Sequence, residues 1–175
     1  MSRLGIGHFK IADPDIYEFS NINCQIGATQ GTIGQAKTRV MCNRILSINP
    51  DAQVDASTEP ISKKNIDAFM DGCDLVIDGI DFFELDAKQM LFQRARETGI
   101  PVITSCPLGF GASVMIFSPK GMSYENYFDL REGLSEQKKR SRVSYGLSPS
   151  PLCFKYMARR RSVLISDVPQ VSFRD

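Results

Sequence analysis

Two short apolar runs constrain this chain most: Leu75-Val-Ile-Asp78 and Pro101-Val-Ile-Thr-Ser105. They are rich in β-branched residues and do not alternate, the pattern of strands in a parallel sheet covered on both faces. Parallel strands cannot be joined by tight turns and need crossover segments, usually helices. The sequence supplies them. Ala87 to Thr98 is helical in pattern and Gly99 stops it. Gly34 opens an earlier helix with the apolar stripe Ala36, Val40, Met41, Ile45 and Leu46, closed by Asn49-Pro50. His8 to Ala12 reads as a strand stopping at Asp13-Pro14-Asp15, and Gln53 to Ala56 as a second short strand. Ile61 to Met70 reads as a short amphipathic helix with Ile66, Phe69 and Met70 facing in, and Gly111 to Phe117 as a last strand.

Strand–helix alternation over the first 117 residues predicts an α/β fold: a Rossmann-like, doubly wound, mainly parallel sheet. Ser20 to Ile33, with glycines at 27 and 31, reads as a loop long enough to be functional. Residues 1–7 read as the tail of a helix with Gly5 and Gly7 as its stop. A fold of this class entered there is expected to lack its first strand. Beyond Pro119 the pattern weakens: Tyr124 to Leu130 and Pro149 to Arg161 are helical in pattern, and Ser135 to Arg142 is a charged run. The expected organisation is a nucleotide-binding domain over 1–118 and a helical or irregular extension over 119–175.

Composition removes some function classes. The net charge is +1, which gives no electrostatic footing for nucleic acid or an anionic membrane. No apolar run approaches the roughly 18 residues of a membrane span. The five cysteines include no C-x-x-C pair and the only histidine is His8, so no zinc is expected, and unpaired thiols suit the cytoplasm. Lys138-Lys139-Arg140 and Arg159-Arg160-Arg161 read as solvated faces, with an acidic partner as the less favoured alternative.

Ligands of doubly wound sheets bind outside the carboxyl ends of the strands. Asp13 lies at one such end, where a carboxylate can accept hydrogen bonds from ribose hydroxyls. Asn21, Asn23 and Gln25 lie in the loop after it. Lys37 falls in the first turn of the next helix, where an ammonium and free N–H groups meet phosphate. Asp81 follows the Leu75–Asp78 strand, where a carboxylate could hold magnesium between phosphates. Each has a plainer reading: Asp13 as a turn cap, Lys37 as a surface charge, Asp81 as the start of a helix whose first turn holds Glu84 and Asp86.

The combination of Asp13-Pro-Asp15, Ser20-Asn21, Gln25, Gly34-Gln-Ala-Lys37, Ile48-Asn-Pro50 and Asp78-Gly-Ile-Asp81 resembles the ThiF/MoeB/HesA family. These are bacterial relatives of the ubiquitin-activating enzymes. The resemblance implies an adenylyltransferase that activates the C-terminal carboxylate of a β-grasp, ubiquitin-like sulfur-carrier protein with Mg-ATP. It implies further that Asp13 holds the ribose, Asn21 and Gln25 line the nucleotide pocket, Lys37 neutralises phosphate charge and Asp81 binds magnesium. A homo- or heterodimer is implied as well.

Three departures qualify the activity. The family's Gly-x-Gly-Gly-x-Gly loop, whose backbone amides grip phosphates, does not occur in the sequence. It belongs about 20 residues before the ribose acid, and Asp13 stands closer than that to Met1. Cys24 occupies the place of an arginine, and a neutral thiol cannot make a forked, charged contact with phosphate. No acceptor cysteine stands out: Cys106 and Cys153 read as small buried hydrophobes. Gly109 to Ser113 precedes a strand rather than a helix, so it is not a substitute phosphate loop. The expected function is thus an adenylyltransferase domain impaired as it stands. A catalytically inactive scaffold or dimer partner of the same fold is the alternative, and an NAD- or FAD-binding protein ranks third.

Overall fold

The computed structural model describes residues 1–108 and 111–147; the expected helix over 149–161, with Cys153 and Arg159 to Arg161, lies outside the described residues. The described chain forms two compact units that divide after Ile61.

In the first unit a 3₁₀ turn, Ser2–Leu4, ends at Gly5 in the left-handed conformation (φ 84°). This is the expected glycine stop, on a single turn of helix. Strand β1 (His8–Ala12) and strand β2 (Gln53–Ser57) pair in parallel, from His8 opposite Gln53 to Ala12 opposite Ser57. Helix α1 (Lys37–Ile48) connects them and closes on Asn49, whose amide donates to the Ile45 carbonyl at 2.8 Å, just before Pro50.

Helix α1 begins at Lys37, not at Gly34, because residues 34–36 are committed elsewhere. Ile16 and Ala36 form an antiparallel bridge, the Tyr17 amide donates to Gln35, and the Gly34 amide donates to Tyr17. Gly34 itself has φ 81°, outside helical geometry. The inward face of α1 is Thr38, Val40 and Ile45; Met41 is half-buried and Leu46 is exposed, so the expected stripe is narrower and rotated. Val40 packs with Tyr17, Ala28 and Ile33 in a small cluster.

The second unit contains strands β3 (Val76–Asp78), β4 (Val102–Leu108) and β5 (Gly111–Phe117) in the order β3-β4-β5. Strands β3 and β4 are parallel, and β5 returns antiparallel to β4. Helix α3 (Leu85–Thr98) is the crossover and starts two residues before the expected Ala87; it ends at Gly99 (φ 80°), as read from the sequence. A shorter helix, α2 (Ile66–Met70), precedes β3 with Ile66 and Met70 buried. It starts later than the expected Ile61 because the Asn65 side chain accepts from the Ser62 amide at 2.7 Å. That local turn competes with a helical start.

One face of this sheet carries Val76, Asp78, Val102, Thr104 and Phe117, all buried. Helix α3 lies on it, with Phe92 edge-on to Phe117 at 5.1 Å and Tyr124 stacked on Phe92 at 4.2 Å. The other face is open: Ile77 is 54% exposed and Val114 and Ile116 are exposed too. The expectation that Leu75–Asp78 is a strand buried on both faces is therefore corrected to a parallel strand buried on one. Helix α4 is Tyr124–Tyr127, shorter than the expected Tyr124–Leu130. The charged run after Ser135 is helical, α5 (Glu136–Leu147), anchored by Val143 and Leu147. No helix among the described residues is long and apolar enough to cross a membrane.

Tyr17 and Gly27 give a test of the first unit. A Cβ at Gly27 would stand 2.1 Å from the Tyr17 hydroxyl oxygen, and the phenol is buried. Gly27→Ala is expected to destabilise the chain by about 1–3 kcal/mol, the usual cost of overpacking. Thermal unfolding reads it; an unchanged midpoint would show that Tyr17 can swing away freely.

Candidate functional site

Asp13 follows the last residue of β1, and its amide donates to the Ser57 carbonyl of the neighbouring strand at 3.1 Å. Its Oδ1 accepts from the Asp15 amide at 2.9 Å. This is the turn-capping role that a strand-terminal aspartate commonly plays. It engages one carboxylate oxygen, and a carboxylate offers about four acceptor positions in all.

The ladder between residues 15–17 and 34–37 brings Lys37 to this turn. The Lys37 amide donates to the Asp15 carbonyl at 3.0 Å, and its Nζ lies 2.8 Å from Asp15 Oδ2. The lysine side chain is 13% exposed and the aspartate 65%, so the ion pair is open to solvent on its acidic side. Burial, the largest single influence on Lys37, opposes its charge. The hydrogen bond to Asp15 and the fields of Asp13 and Asp15 outweigh it, and the ammonium titrates above the usual lysine value. Tyr17 is buried beside this group; desolvation pushes its phenol up, against the opposing field of Lys37.

Asn21 and Gln25 occupy the turn that follows. Asn21 Oδ1 accepts from the Glu18 amide at 2.9 Å, closing a 3₁₀ turn over Phe19–Asn21. The Gln25 amide donates to the Asn21 carbonyl at 2.9 Å. Cys24 is exposed, with its Sγ 3.8 Å from the Asn21 carbonyl. The structure thus joins Asp13 and Lys37 in one electrostatic group and gives Asn21 a local capping role. Two members of that group were missed: Asp15, visible in the Asp-Pro-Asp motif, and Tyr17, a phenol inside a polar stretch.

Asp81 belongs to the second unit. It is exposed, and its Oδ1 accepts from the Phe83 amide at 2.8 Å. Helix α3 starts at Leu85, with Asp86 in its first turn and Glu84 at its N-cap, close to the plainer reading of this segment. Beneath the turn lies a polar group that sequence reading missed. Asp78, at the end of β3, has Lys88 Nζ at 2.7 Å and Thr104 Oγ1 at 2.8 Å, both on Oδ2. Its Oδ1 accepts from the Ile80 amide at 3.0 Å. The signal was available: Leu85, Lys88, Phe92 and Ala95 follow one helical stripe, and only Lys88 is polar. Cys106 is half-buried; burial pushes its thiol up while Lys88 pulls it down.

No group of three or more His, Cys, Asp or Glu side chains that could hold a metal exists among the described residues. A magnesium ion carried on nucleotide phosphates needs only one or two protein carboxylates and takes its other ligands from phosphate and water. The exposed Asp81 fits that demand and does not fit an all-protein cage.

Comparison with known proteins gives these features a family. The chain is 38% identical over 105 residues to the tRNA threonylcarbamoyladenosine dehydratase of Haemophilus influenzae, covering 59% of this chain and 40% of the relative. It is 28% identical over 115 residues to the sulfur carrier protein ThiS adenylyltransferase of Escherichia coli, covering 66% and 45%. The chain thus spans less than half the length of these relatives. The crystal structure of the E. coli tRNA N6-threonylcarbamoyladenosine dehydratase superposes with a TM-score of 0.55 at 35% identity, over 59% of this chain and 43% of that one. A structure of that enzyme in complex with ATP aligns over 91% and 80% at 22% identity and a TM-score of 0.57, a likeness of fold. The ThiF family profile matches residues 1–153, and with strands, crossover helices and motif residues in family order, the chain belongs to the ThiF family.

Proposed function

We propose that this chain is a nucleotide-binding domain of adenylyltransferase type, whose first unit contacts the ribose and phosphates of ATP. The observation that carries this reading is Lys37, held charged beside Asp13 at the carboxyl end of a parallel strand. Asp13 keeps acceptor capacity for ribose hydroxyls while it caps the turn. Asn21 and Gln25 line the nucleotide pocket. Lys37 offers a positive charge where negative charge grows in phosphoryl transfer.

The reaction is attack by a carboxylate oxygen of a small β-grasp protein on the α-phosphorus of ATP. One P–O bond forms, the bond to the β-phosphate's bridging oxygen breaks, and pyrophosphate leaves. The chain's residues bind, orient and neutralise; none acts as a covalent nucleophile. Asp81 would be the carboxylate for magnesium, which when bound would supply charge neutralisation. The ThiS adenylyltransferase and the ATP complex of the E. coli dehydratase support the nucleotide and the carrier protein as ligand classes.

The 175 residues contain no Gly-x-Gly-Gly-x-Gly loop, so the backbone cradle for phosphates is not among the groups described. Cys24 stands exposed where an arginine would strengthen phosphate binding. These two features favour a second reading, a scaffold that keeps the fold as a homo- or heterodimer partner and does not adenylate alone.

Mg-ATP calorimetry separates the two. Measurable binding that Asp13→Ala and Lys37→Ala each weaken at least tenfold is the expected result. No binding at millimolar ATP by a well-folded chain would leave the scaffold reading.

Asp15 supplies a second test. Asp15→Asn removes the lysine's hydrogen-bonding carboxylate, so Lys37 is expected to titrate lower than in the parent chain, read from its ε-methylene NMR shifts. A lysine whose folded value is raised contributes stability below its unfolded value, 10.5, and loses it as pH rises through the folded value. The variant is therefore expected to be less stable at pH 7 by about 0.5–1 kcal/mol, as for other partly exposed pairs. That difference should vanish at pH values above the Lys37 titration.

A further inference from the structure

We propose that Lys88 is a positioning residue for Asp81: it fixes Asp78, and through Asp78 the turn on which Asp81 is carried. The inference rests on the reading of Asp81 as the cation carboxylate, and its geometry lies wholly within the second unit.

The Asp78 side chain has no solvent exposure and that of Lys88 only 9%. Removing both charges from water costs more than an apolar pair of similar volume. Residue 88 sits on the inward stripe of α3 between Leu85 and Phe92, where a leucine or methionine would satisfy packing alone. A buried pair of this kind is weak as a source of stability and strong as a constraint on geometry. Here the constraint has a visible direction. On Oδ2 the Asp78 carboxylate is tied to α3 through Lys88 and to β4 through Thr104. On Oδ1 it is tied to the backbone of the turn through the Ile80 amide. Three residues later the arrangement repeats: Asp81 Oδ1 accepts from the Phe83 amide, and the Asp81 carbonyl accepts from the Glu84 amide at 3.1 Å. The path from β3 to α3 is therefore pinned by two carboxylates in series. The first is held by Lys88 and the second is the proposed ligand.

Removing the ammonium leaves Thr104 as the only remaining described side-chain donor to Asp78. The carboxylate can then rotate toward solvent and take the Ile80 amide with it. Asp81, with no bond to α3 or β4 among those described, follows the turn. Lys88 does not touch the cation in this scheme.

The test is amide hydrogen exchange by NMR on the full chain, with Lys88→Met and the double variant Lys88→Met/Asp78→Asn. In Lys88→Met the Ile80 and Phe83 amides are expected to exchange at least tenfold faster, measured relative to Leu91 and Phe92 of α3. The double variant has no bare buried carboxylate and covers the case in which Lys88→Met fails to fold. It is expected to regain the unfolding midpoint without regaining protection at Ile80 and Phe83. Protection returning together with stability would overturn the proposal, since Lys88 would then only neutralise a charge.

Manganese ion with ATP, added to the parent chain, is expected to broaden amide signals of residues 79–83, and to do so at least fivefold more weakly at equal concentration in both variants. Equal broadening in all three chains would also overturn the proposal. No broadening in the parent would overturn the reading of Asp81 as a cation ligand, while the exchange data still decide whether Lys88 fixes the turn.

Discussion

Strands β1 and β3, each in its own sheet, end in the same interaction: an aspartate whose Oδ1 accepts the amide two residues on. Asp13 does this for Asp15 and Asp78 does it for Ile80. Just beyond each strand the sheet no longer supplies partners, so the amides of Asp15 and Ile80 need acceptors and the chain needs to turn. A short carboxylate meets both needs. What differs is burial. Asp13 is half-buried beside a solvent-open ion pair, whereas Asp78 is sealed beneath α3 and matched by a buried ammonium. The same residue type at the same place in two strands therefore has two tasks. One remains able to meet a ligand, and the other holds the backbone that carries the next acid, Asp81.

The electrostatics around Lys37 limit what can bind there. Its ammonium is already paired with Asp15 and lies in the field of Asp13, so an incoming anion has to compete with a carboxylate 2.8 Å away. A single weak anion gains little from such an exchange. A polyphosphate brings several charges and magnesium, and Asp15, largely in water, loses little on being displaced because it can be rehydrated. Under the proposed function, an ammonium paired in this way would favour highly charged ligands over single weak anions.

The parts of this fold that were legible in the sequence are those governed by local chemistry. The end of β1 at Asp13-Pro14, the glycine stops at Gly5 and Gly99, the Asn49-Pro50 terminus of α1 and the span of β5 all follow from residues next to the boundary. The start of α1 was misplaced because residues 34–36 pair with residues 15–17, a contact that no window of sequence contains. The start of α2 was misplaced because Ser62 and Asn65 close a turn of their own. The open face of β3 was invisible because an apolar run does not say which of its faces is covered. Lys37 and Asp13 were found through motif and position, but their link through Asp15 needed the ladder that brings them together. Lys88 shows in the sequence only as the one polar residue of an apolar stripe, because its partner Asp78 ends a different element ten residues earlier.

Helix α5 shows how a charged run can be accounted for from within. Lys139 bonds Glu136 one turn earlier at 3.1 Å and reaches Asp86 of α3 at 3.7 Å. Arg140 lies over the Phe83 ring, 5.3 Å from its centroid, and reaches the Phe83 carbonyl at 3.5 Å. Such contacts are individually small. Their common target matters more than their sum, because Phe83 and Asp86 flank the start of α3 just beyond Asp81. The segment between β3 and α3 is thus gripped at one end by Asp78 and Lys88 and at the other by α5. Two of the three cations in Lys138-Lys139-Arg140 are engaged inside the unit, which weakens the case for an acidic partner at that run. The segment they hold is the one that must keep its shape if Asp81 is to meet a cation at a fixed place.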